Sequence, residues 1–498
     1  MANKSKKFYI TTSIAYTNAP PHIGFALESI QADVLARYHR FLSEEVFFLT
    51  GTDEHGVKIA KKAEEEGKEP KEFVDDLTAR YKKLKGILNL SNDDFIRTTD
   101  QKRHWPSVEK VWLKLKENND IYKKKYKGLY CAGCESFIKE KDLINGKCPV
   151  HQKAPQLIEE ENYFFRLSKY GDRIKGAINK GEIKIIPESR KNETIEFINQ
   201  GLEDVSFSRS KENLKWGIPV PGDPDQTIYV WCDALTNYIS IFGYAENSPK
   251  FKKYWPADIH CVGKDIMRFH TILWPAMLFS IGLELPKIIF VHGFITVGNQ
   301  KMSKSLGNVI DPFELVKKYD SASSPQVGTD AVRYFLLREI PPTDDGDFTY
   351  QKFDERYSAD LAGGIGNLLA RIITMAEKVK INTTKISPEF EKEIKKAKDS
   401  HKKFLDDFKF NEALKSIWEL ISFCDRYIDK EKPWETKNPQ VIYNLLVCVS
   451  HIAQLLQSFL PETSEKIFQQ LGVNLLDKKF LKFKIKKGES LFPKLKTL

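Results

Sequence analysis

The stretch FYITTSIAYTNAPPHIG, residues 8–24, decides the fold of this chain. Phe8–Ile14 has the polar-interrupted apolar pattern of a strand, and the pattern of Ala26–Leu42 predicts the helix that follows. A second strand is predicted at Glu45–Leu49 and a second helix from Val57. Strands that alternate with helices in this way are typical of a parallel α/β sheet.

The same texture returns between Gln226 and Val297, with strands predicted at Ile259–Val262 and Lys287–Val291. A Lys/Glu-rich segment that contains three cysteines separates the two α/β stretches. We therefore predict one doubly wound α/β domain that is interrupted by an insertion.

The pattern becomes helical after about Tyr357. Apolar residues recur at helix spacing from Ala413 to Cys424 and again from Ile442 to Ile452. Pro433 and Pro461 punctuate these helices. A helical bundle is therefore predicted for the C-terminal third of the chain.

Length and composition narrow the class of protein. A chain of 498 residues exceeds the size of a single hydrophobic core, so several domains are expected. We find no run of about 18 apolar residues and no signal peptide, which predicts a cytoplasmic protein. The formal net charge of +10 is a weak sign of a polyanionic partner, since many housekeeping proteins with such a charge balance bind no nucleic acid. Near the end of the chain, the alternation of residues 482–486 predicts an edge strand.

His22-Ile23-Gly24 is predicted to open the helix after the first strand. Ligands of doubly wound sheets bind at the carboxyl ends of the strands, and a helix N-terminus presents free backbone amides to phosphate. Gly24 permits a close approach of the backbone, and His22 can donate a hydrogen bond to a phosphate oxygen. Taken alone, these three residues are more typical of an ordinary N-terminal turn.

The segment Lys301-Met302-Ser303-Lys304-Ser305 is a second candidate for phosphate binding. Two ammonium groups on a hydroxyl-rich loop can close over a triphosphate and neutralise charge that develops in the transition state. A basic loop alone is usually a solvated surface. Together with His22-Ile23-Gly24 it predicts an ATP site that includes His22, Gly24, Lys301, Ser303 and Lys304.

Cysteine spacing predicts a metal site. Cys131 and Cys134 are followed, after thirteen residues, by Cys148 and His151. Two ligand pairs on separate turns would place three sulfurs and one imidazole in the tetrahedron that Zn²⁺ prefers. Because the protein supplies all four ligands, one structural zinc ion is predicted. Two alternatives stay open, an iron ion at the same site and a pair of reduced turns that hold no metal. The remaining cysteines are predicted to be core residues: Cys232, Cys261, Cys424 and Cys448.

The two candidate phosphate-binding segments resemble the signatures of class I aminoacyl-tRNA synthetases. The chain is similar over essentially its whole length to the methionyl-tRNA synthetases, in the bacterial type with a single zinc knuckle. The segments that carry this resemblance are Gly51–Gly56, Tyr229–Ala234, Gly263–Ile266 and Trp274–Leu278.

The resemblance implies a Rossmann-type sheet interrupted by a zinc-bearing connective insertion and followed by a C-terminal helical bundle. The implied domains are a catalytic domain formed by residues 1–118 and 225–297, the connective insertion at 119–224, the KMSKS loop and stem-contact segment at 298–357, and a helical anticodon-binding domain at 358–498.

The same resemblance implies the roles of individual residues. Asp53 would bind the methionine ammonium group, while Tyr16, Trp231 and Phe269 would enclose the thioether. The rest of the methionine pocket would be formed by Ile14, Ala234, Leu235, Tyr238 and His270. Gly263 and Asp265 would hold the adenosine. The catalytic residues would be His22, Lys301 and Lys304, acting with Mg²⁺ on ATP.

Three residues of the C-terminal helical third are candidates for binding a tRNA anticodon. Asn367 and Arg371 stand four apart and share one helix face, and Trp434 follows Pro433 at a helix end. Single-stranded RNA is bound by stacking its bases on aromatic and guanidinium planes. Spacing alone favours a polar helix face and a packing tryptophan, whereas the resemblance implies recognition of the CAU anticodon of tRNA(Met). The resemblance also favours a monomer.

One position departs from the family pattern. The first signature of the family usually ends in a second histidine, and this chain has Phe25, which cannot donate a hydrogen bond. This departure keeps open an alternative function, a catalytically idle paralogue that binds tRNA. Synthetases for leucine, isoleucine or valine are disfavoured, because the insertion is too short for an editing domain.

Overall fold

The computed structural model describes residues 6–131, 136–149, 152–302, 306–320, 327–475, 480 and 482–495. The chain forms two compact units. The first comprises residues 1–20, 42–83 and 92–291, and the second comprises residues 21–41, 84–91 and 292–498.

The strands within the described residues are β1 (Lys7–Thr12), β2 (Ala15–Tyr16), β3 (Glu45–Asp53), β4 (Asp94–Arg97), β5 (Ile121–Cys131), β6 (Ser136–Ile138), β7 (Gln156–Phe165), β8 (Lys184–Ile186), β9 (Val205–Ser206), β10 (Ser208–Ser210), β11 (Pro219–Val220), β12 (Asp223–Ile228), β13 (Ile259–Gly263), β14 (Ile288–His292), β15 (Ile295–Val297), β16 (Gln300–Lys301) and β17 (Gly346–Phe348).

The helices of the same residues are α1 (Ile23–Phe41), α2 (Val57–Glu65), α3 (Pro70–Ile87), α4 (Trp105–Glu117), α5 (Gly171–Lys180), α6 (Glu188–Asn199), α7 (Val230–Leu235), α8 (Asn237–Ser240), α9 (Pro249–Tyr254), α10 (Trp274–Ile281), α11 (Pro312–Tyr319), α12 (Val327–Arg338), α13 (Tyr350–Arg356), α14 (Asn367–Ala376), α15 (Pro388–Asp406), α16 (Phe410–Glu431), α17 (Pro433–Thr436), α18 (Pro439–Leu456) and α19 (Pro461–Leu471). Phe269–Leu273 and Tyr357–Gly366 are π-helical.

The central sheet of the first unit has seven strands in the order β2-β3-β1-β13-β14-β8, with β4 paired to β3. β1 is parallel to both of its neighbours, so that Ile10 lies opposite Phe48 on one side and Ile259 on the other. All three side chains are buried, as expected for strands covered on both faces. This sheet confirms the parallel α/β fold predicted from the alternation of strands and helices.

The edge of this sheet contains a strand that sequence reasoning did not find. β8 pairs in parallel with β14, with Ile185 opposite Ile289. It comes from inside the stretch 119–224, which the sequence assigns to the insertion, and it is only three residues long. So short an apolar run gives no periodicity to distinguish a strand from a loop. The domain boundaries themselves stay a prediction.

The Lys/Glu-rich composition of residues 119–165 reflects an antiparallel ladder. β5 pairs with β7, and Lys125 and Lys127 lie opposite Glu161 and Glu159. The Lys127 ammonium is 3.2 Å from the Glu159 carboxylate. Opposite charges across neighbouring strands stabilise their pairing, so the composition is explained by strand register.

The C-terminal part of the second unit is a helical bundle, as predicted. The two apolar repeats fall within α16 and α18, and their apolar side chains are buried. Pro433 and Pro461 are each the first residue of a helix, where the missing proline N–H has no helical partner to lose. The predicted core cysteines are all buried, and the Cys424 and Cys448 sulfurs lie 3.3 Å apart.

The predicted edge strand at residues 482–486 is wrong. The Lys484 and Lys486 amides donate instead to the carbonyls of Leu471 and Gln470, at 3.0 and 2.8 Å. These acceptors lie in the last turn of α19, whose carbonyls have no partner within the helix. The segment therefore satisfies a helix end rather than a sheet edge.

One helix of the described residues, α18, is long and apolar enough by length and composition to cross a membrane. Its mean hydropathy is 1.3, and 83% of the segment is buried inside the protein. The core helix of a bundle has the same composition, which is why α18 carries little weight as a membrane span.

A buried guanidinium joins three parts of the second unit. Arg333 in α12 is inaccessible to solvent, and its Nη2 lies 2.8 Å from Oδ2 of Asp33 in α1. The same side chain donates to the carbonyls of Leu88, Ser458 and Phe459 at 3.0, 3.1 and 2.7 Å. The rigid, five-donor fork of arginine suits such a set of acceptors.

Asp33 stays ionised in this cluster. Burial alone would raise the pKa of Asp33, but the charges of Arg333 and Arg37 outweigh the effect of burial and lower it. The carboxylate also accepts from Arg37 Nε at 2.8 Å and from the Ser91 amide at 2.6 Å. The helix that begins at Ile23 is therefore held in the second unit by the ion pairs and hydrogen bonds of the buried Asp33 carboxylate.

We predict that Arg333→Met lowers the free energy of unfolding by about 3–5 kcal/mol, because it removes one partner of a buried charge and the donors to three carbonyls. Urea-induced unfolding measures the change. Lys402→Ala, which breaks the exposed pair with Asp406, is the control and should lower it by less than about 1 kcal/mol. Equal effects of the two substitutions would show that the Arg333 cluster is not a main source of stability.

Candidate active site

Strand pairing places Asp53 and Tyr16 side by side at the carboxyl end of the sheet. β2 is parallel to β3, and Tyr16 lies opposite Asp53. The Thr17 amide and hydroxyl both donate to the Asp53 carbonyl, at 2.9 and 3.0 Å. At Gly51 a Cβ atom would come within 2.2 Å of the Ile96 carbonyl oxygen, so glycine is required for β3 and β4 to approach.

An aromatic stack forms a second group of the predicted pocket residues. The rings of Trp231 and Phe269 are parallel within 8°, with centroids 3.6 Å apart. Both side chains are partly exposed, as are Ile14 and Tyr16, and all four pack against one core cluster. Half-exposed aromatic side chains on a rigid core are the kind of wall that an apolar ligand requires.

His270 supplies a polar but uncharged wall. Burial lowers the pKa of His270 to about 4, so the imidazole is neutral at physiological pH. Its Nδ1 lies 3.0 Å from the Ile266 carbonyl and its Nε2 lies 2.8 Å from the Tyr238 hydroxyl. Nδ1 therefore carries the proton, and Nε2 accepts from Tyr238. A neutral site suits an uncharged thioether.

The other predicted residues of the first unit lie where strands and helices end. Ala234 and Leu235 are buried in α7. Gly263 is the last residue of β13, and its carbonyl accepts from the Ile266 amide at 3.2 Å. Asp265 is exposed in the turn that follows. The binding roles of all these residues stay predictions.

In the second unit, the two signature segments are neighbours. The Ile23 amide donates to the Ile310 carbonyl at 3.1 Å, just after the Lys301 segment. Gly24 donates to Nδ1 of His22 at 3.0 Å, which leaves the proton of a neutral ring on Nε2. A Cβ on Gly24 would lie 2.8 Å from the His22 ring and 3.7 Å from the Met302 methyl group, so glycine is needed here.

The Lys301 side chain is exposed and lies over the Phe294 ring, 5.4 Å from its centroid. Its carbonyl accepts from the Asn308 side chain at 3.3 Å. Ser303 and Lys304 lie outside the described residues. Phe25 is partly buried in the first turn of α1.

The predicted anticodon residues lie in the helical bundle. Asn367 is exposed at the start of α14, and Arg371 on the same helix pairs with Asp425 and Asp429 at 3.3 and 2.9 Å. Trp434 is 48% exposed on the four-residue helix α17.

The backbone on both sides of Trp434 is unusual. Lys432 and Lys437 have φ values of 44° and 50°, and side chains other than glycine rarely adopt this left-handed conformation. Both residues are helix C-caps, a position at which the left-handed conformation commonly ends a helix.

Two of the four predicted metal ligands can be placed. Cys131, at the end of β5, and Cys148 are both buried. The Cys148 carbonyl accepts from the Gln152 amide at 2.7 Å. Cys134 and His151 lie outside the described residues, and among the described residues no group of three or more potential ligands is arranged around a metal. Cysteine sulfurs are ligands that zinc prefers, and the burial of these two fits such a site.

Sequence reasoning missed two buried polar clusters beside the pocket. Glu54 accepts both Nε and Nη2 of Arg97, at 2.7 and 2.9 Å. Asp233 accepts from His55 and His104, both at 2.7 Å. His55 and Asp233 belong to segments that carry the family resemblance, but they are 178 residues apart, so their pairing cannot be inferred from the sequence.

Comparison with known proteins identifies the class of protein to which this chain belongs. Residues 8–154 and 138–373 match the family model of class I tRNA synthetases (M), and residues 388–495 match that of the anticodon-binding domain of tRNA ligases. The methionine–tRNA ligase of Caldanaerobacter subterraneus subsp. tengcongensis is 45% identical, covering 98% of this chain and 79% of that protein. That of Thermotoga maritima is 44% identical, covering 94% and 75%.

The solved structures agree. Mycobacterium tuberculosis methionyl-tRNA synthetase in complex with methionyl-adenylate is similar with a TM-score of 0.92 at 35% identity, covering 98% of this chain and all of that one. Its apo form is similar with a TM-score of 0.85 at 32% identity. The fold and the two signatures are those of a class I tRNA synthetase, a ligase. Within that class, the chain belongs to the methionyl-tRNA synthetase family.

His270 predicts a pH dependence of stability. The unfolded side chain titrates near 6.5 and the folded one near 4, so unfolding takes up a proton between these values and stability falls as pH decreases from 6.5 to 4. Between pH 7.5 and pH 5, His270→Gln should reduce this fall by about 2 kcal/mol. Urea unfolding of both proteins at pH 7.5 and pH 5 measures the difference; an unchanged pH dependence would contradict the buried neutral state of His270.

Proposed function

We propose that this chain activates L-methionine with ATP to form methionyl-adenylate and then transfers the methionyl group to the 3′ end of tRNA(Met). The observation that carries the proposal is the stack of Trp231 on Phe269 in the same unit as neutral His270 and the carboxylate of Asp53. Membership in the family supplies the reaction class.

The pocket chemistry supports methionine over other apolar amino acids. A thioether makes favourable contacts with aromatic rings, which a branched hydrocarbon does not gain. Tyr16, Trp231 and Phe269 would provide those rings, and Asp53 would pair with the ammonium group. Because His270 is neutral, the side chain would meet no charge to desolvate.

In the first step, a carboxylate oxygen of methionine attacks the α-phosphorus of ATP and pyrophosphate leaves. The reaction needs positioning and charge stabilisation rather than covalent help from the protein. The Nε2 proton of His22 and the Lys301 and Lys304 ammonium groups would bind the phosphates, and the missing side chain at Gly24 would let them approach the backbone closely. Gly263 and Asp265 would hold the adenosine. Mg²⁺, carried by ATP, would neutralise phosphate charge.

In the second step, a hydroxyl of the terminal ribose of tRNA attacks the methionyl carbonyl carbon, and AMP leaves. At the other end of the tRNA, the exposed indole of Trp434 would stack on an anticodon base, with Asn367 and Arg371 hydrogen-bonding to base edges. That the enzyme is cytoplasmic and monomeric stays a prediction.

Phe25 is the only feature that favours the alternative of a tRNA-binding paralogue without activity. Its ring cannot replace the hydrogen bond of the histidine usual in the family. Against this alternative, the Gly24 amide orients the His22 ring by a hydrogen bond, and the Lys301 side chain is exposed.

Amino-acid-dependent exchange of labelled pyrophosphate into ATP tests the proposal. Exchange should occur with methionine and not with leucine, isoleucine, valine or cysteine. Lys301→Ala should reduce the exchange rate about 100-fold or more, as does removal of a transition-state donor in other enzymes. Lys317→Ala, on α11 of the same unit, is the control and should retain the wild-type rate. Exchange with none of the amino acids would favour the inactive paralogue, and an unchanged rate in Lys301→Ala would refute the role of that loop.

The zinc site is a separate part of the proposal. Cys131, Cys134, Cys148 and His151 would hold one structural zinc ion in the insertion, with iron as the chemical alternative. The burial of Cys131 and Cys148 supports this assignment.

We expect the purified protein to contain about one equivalent of zinc, as four protein ligands predict. Cys148→Ser should lose the metal, whereas the control Cys424→Ser, which alters a buried cysteine of the helical bundle, should keep it. Elemental analysis by plasma mass spectrometry measures both metals. Iron in place of zinc, or zinc retained by Cys148→Ser, would contradict the assignment.

A further inference from the structure

Asp233 lies between two imidazoles in the interior of the first unit. Its Oδ2 is 2.7 Å from Nδ1 of His55, and its Oδ1 is 2.7 Å from Nε2 of His104. The other ring nitrogen of His104 lies 2.8 Å from the Ser240 hydroxyl. All three titratable side chains are buried.

The carboxylate is ionised in this setting. Burial alone would raise the pKa of Asp233, but His55 and His104 outweigh that effect and lower it. Each imidazole therefore donates an N–H bond to a charged acceptor, and such bonds are stronger than neutral ones.

The cluster joins the two groups of predicted methionine-pocket residues. His55 is two residues beyond Asp53, in the turn between β3 and α2. Asp233 is two residues beyond Trp231, within α7. Residues two apart on a helix point in roughly opposite directions. Asp233 thus anchors the back of α7 while Trp231 faces the pocket.

α7 depends on such an anchor. It has only six residues, and no side chain caps its N-terminus. Helices this short have no independent stability, so their orientation is set by tertiary contacts. On the other side, the His55 turn is fixed by Trp216, whose indole donates to the Glu54 carbonyl and whose own carbonyl accepts from the Gly56 amide at 3.2 Å.

We propose that Asp233 is a positioning residue for the methionine pocket, which sets the distance between Asp53 and Trp231 by holding His55 and His104. The inference rests on the proposed function, since it assumes that these two residues bind the ammonium group and the thioether. It requires no contact between Asp233 and the substrate.

Steady-state pyrophosphate exchange of the full-length protein tests this role. Asp233→Leu removes both acceptors and should raise the KM for methionine about tenfold or more, with the KM for ATP changed by less than about twofold. Asp233→Asn keeps the shape and one acceptor oxygen, and its KM for methionine should lie between those of the wild type and Asp233→Leu.

Asp258→Asn is the matched control. Asp258 is also a buried carboxylate of the first unit, paired with Lys7 and Lys287 at 3.2 and 2.7 Å. Its replacement should lower the melting temperature without changing the KM for methionine. A loss of stability alone therefore cannot imitate the expected result.

His104→Gln and His104→Leu provide a second test if Asp233→Leu does not fold. Glutamine retains an N–H that can reach Asp233, so it should restore most of the methionine affinity that leucine loses. The positioning role is refuted if KM rises equally for methionine and ATP, if Asp258→Asn has the same effect, or if the two His104 variants behave alike. Lack of exchange by the wild-type protein would instead refute the proposed function.

Discussion

β1 is hydrogen-bonded in parallel to a strand on each side, β3 and β13, and the carboxyl ends of all three strands meet at one edge of the sheet. Parallel pairing forces the chain to return through a helix or an insertion before each new strand. Predicted pocket residues that are distant in sequence, such as Tyr16 and Asp53, become direct neighbours because β2 also pairs in parallel with β3. The predicted site of the first unit depends on that constraint more than on any single side chain.

Burial and hydrogen-bonding partners together decide which of the buried side chains carry a charge. Burial lowers the pKa of His270 to about 4, and the hydrogen bond of the imidazole to the Ile266 carbonyl offsets only part of that shift. Asp33 and Asp233 are equally buried, yet their pKa values are lowered, because each is bonded to cations or to imidazole N–H groups. The same loss of solvent thus leaves His270 neutral, whereas Asp33 and Asp233 are ionised.

The fold could be predicted where the sequence pattern is long. The alternation from Phe8 to Val57 and the repeats of α16 and α18 identified the sheet and the bundle correctly, because periodicity over ten or more residues is a strong signal. The strand β8 was missed because it has only three residues, and the short alternation at 482–486 wrongly predicted a strand. Patterns this short do not show which segment the backbone will hydrogen-bond to.

The candidate site divides in the same way. Asp53 and Trp231 could be proposed from segments that resemble a family, since each motif is local. The bonds of Asp233 to His55 and His104 could not, because they join three segments that only the folded sheet brings together. The roles of Asp53 and Trp231 can be proposed from the chemistry of a local motif. The hydrogen bonds of Asp233 depend on which segments the folded chain brings together, and a local sequence pattern does not encode that.

Arg333 has a consequence for how this sequence can vary. Three of its four partner residues, Leu88, Ser458 and Phe459, contribute backbone carbonyls rather than side chains. A carbonyl is present whatever amino acid occupies the position, so the hydrogen bonds place no demand on the identity of those three residues. The demand falls on Arg333 and Asp33 alone. Homologous sequences can therefore drift around this junction while the two charged positions remain fixed.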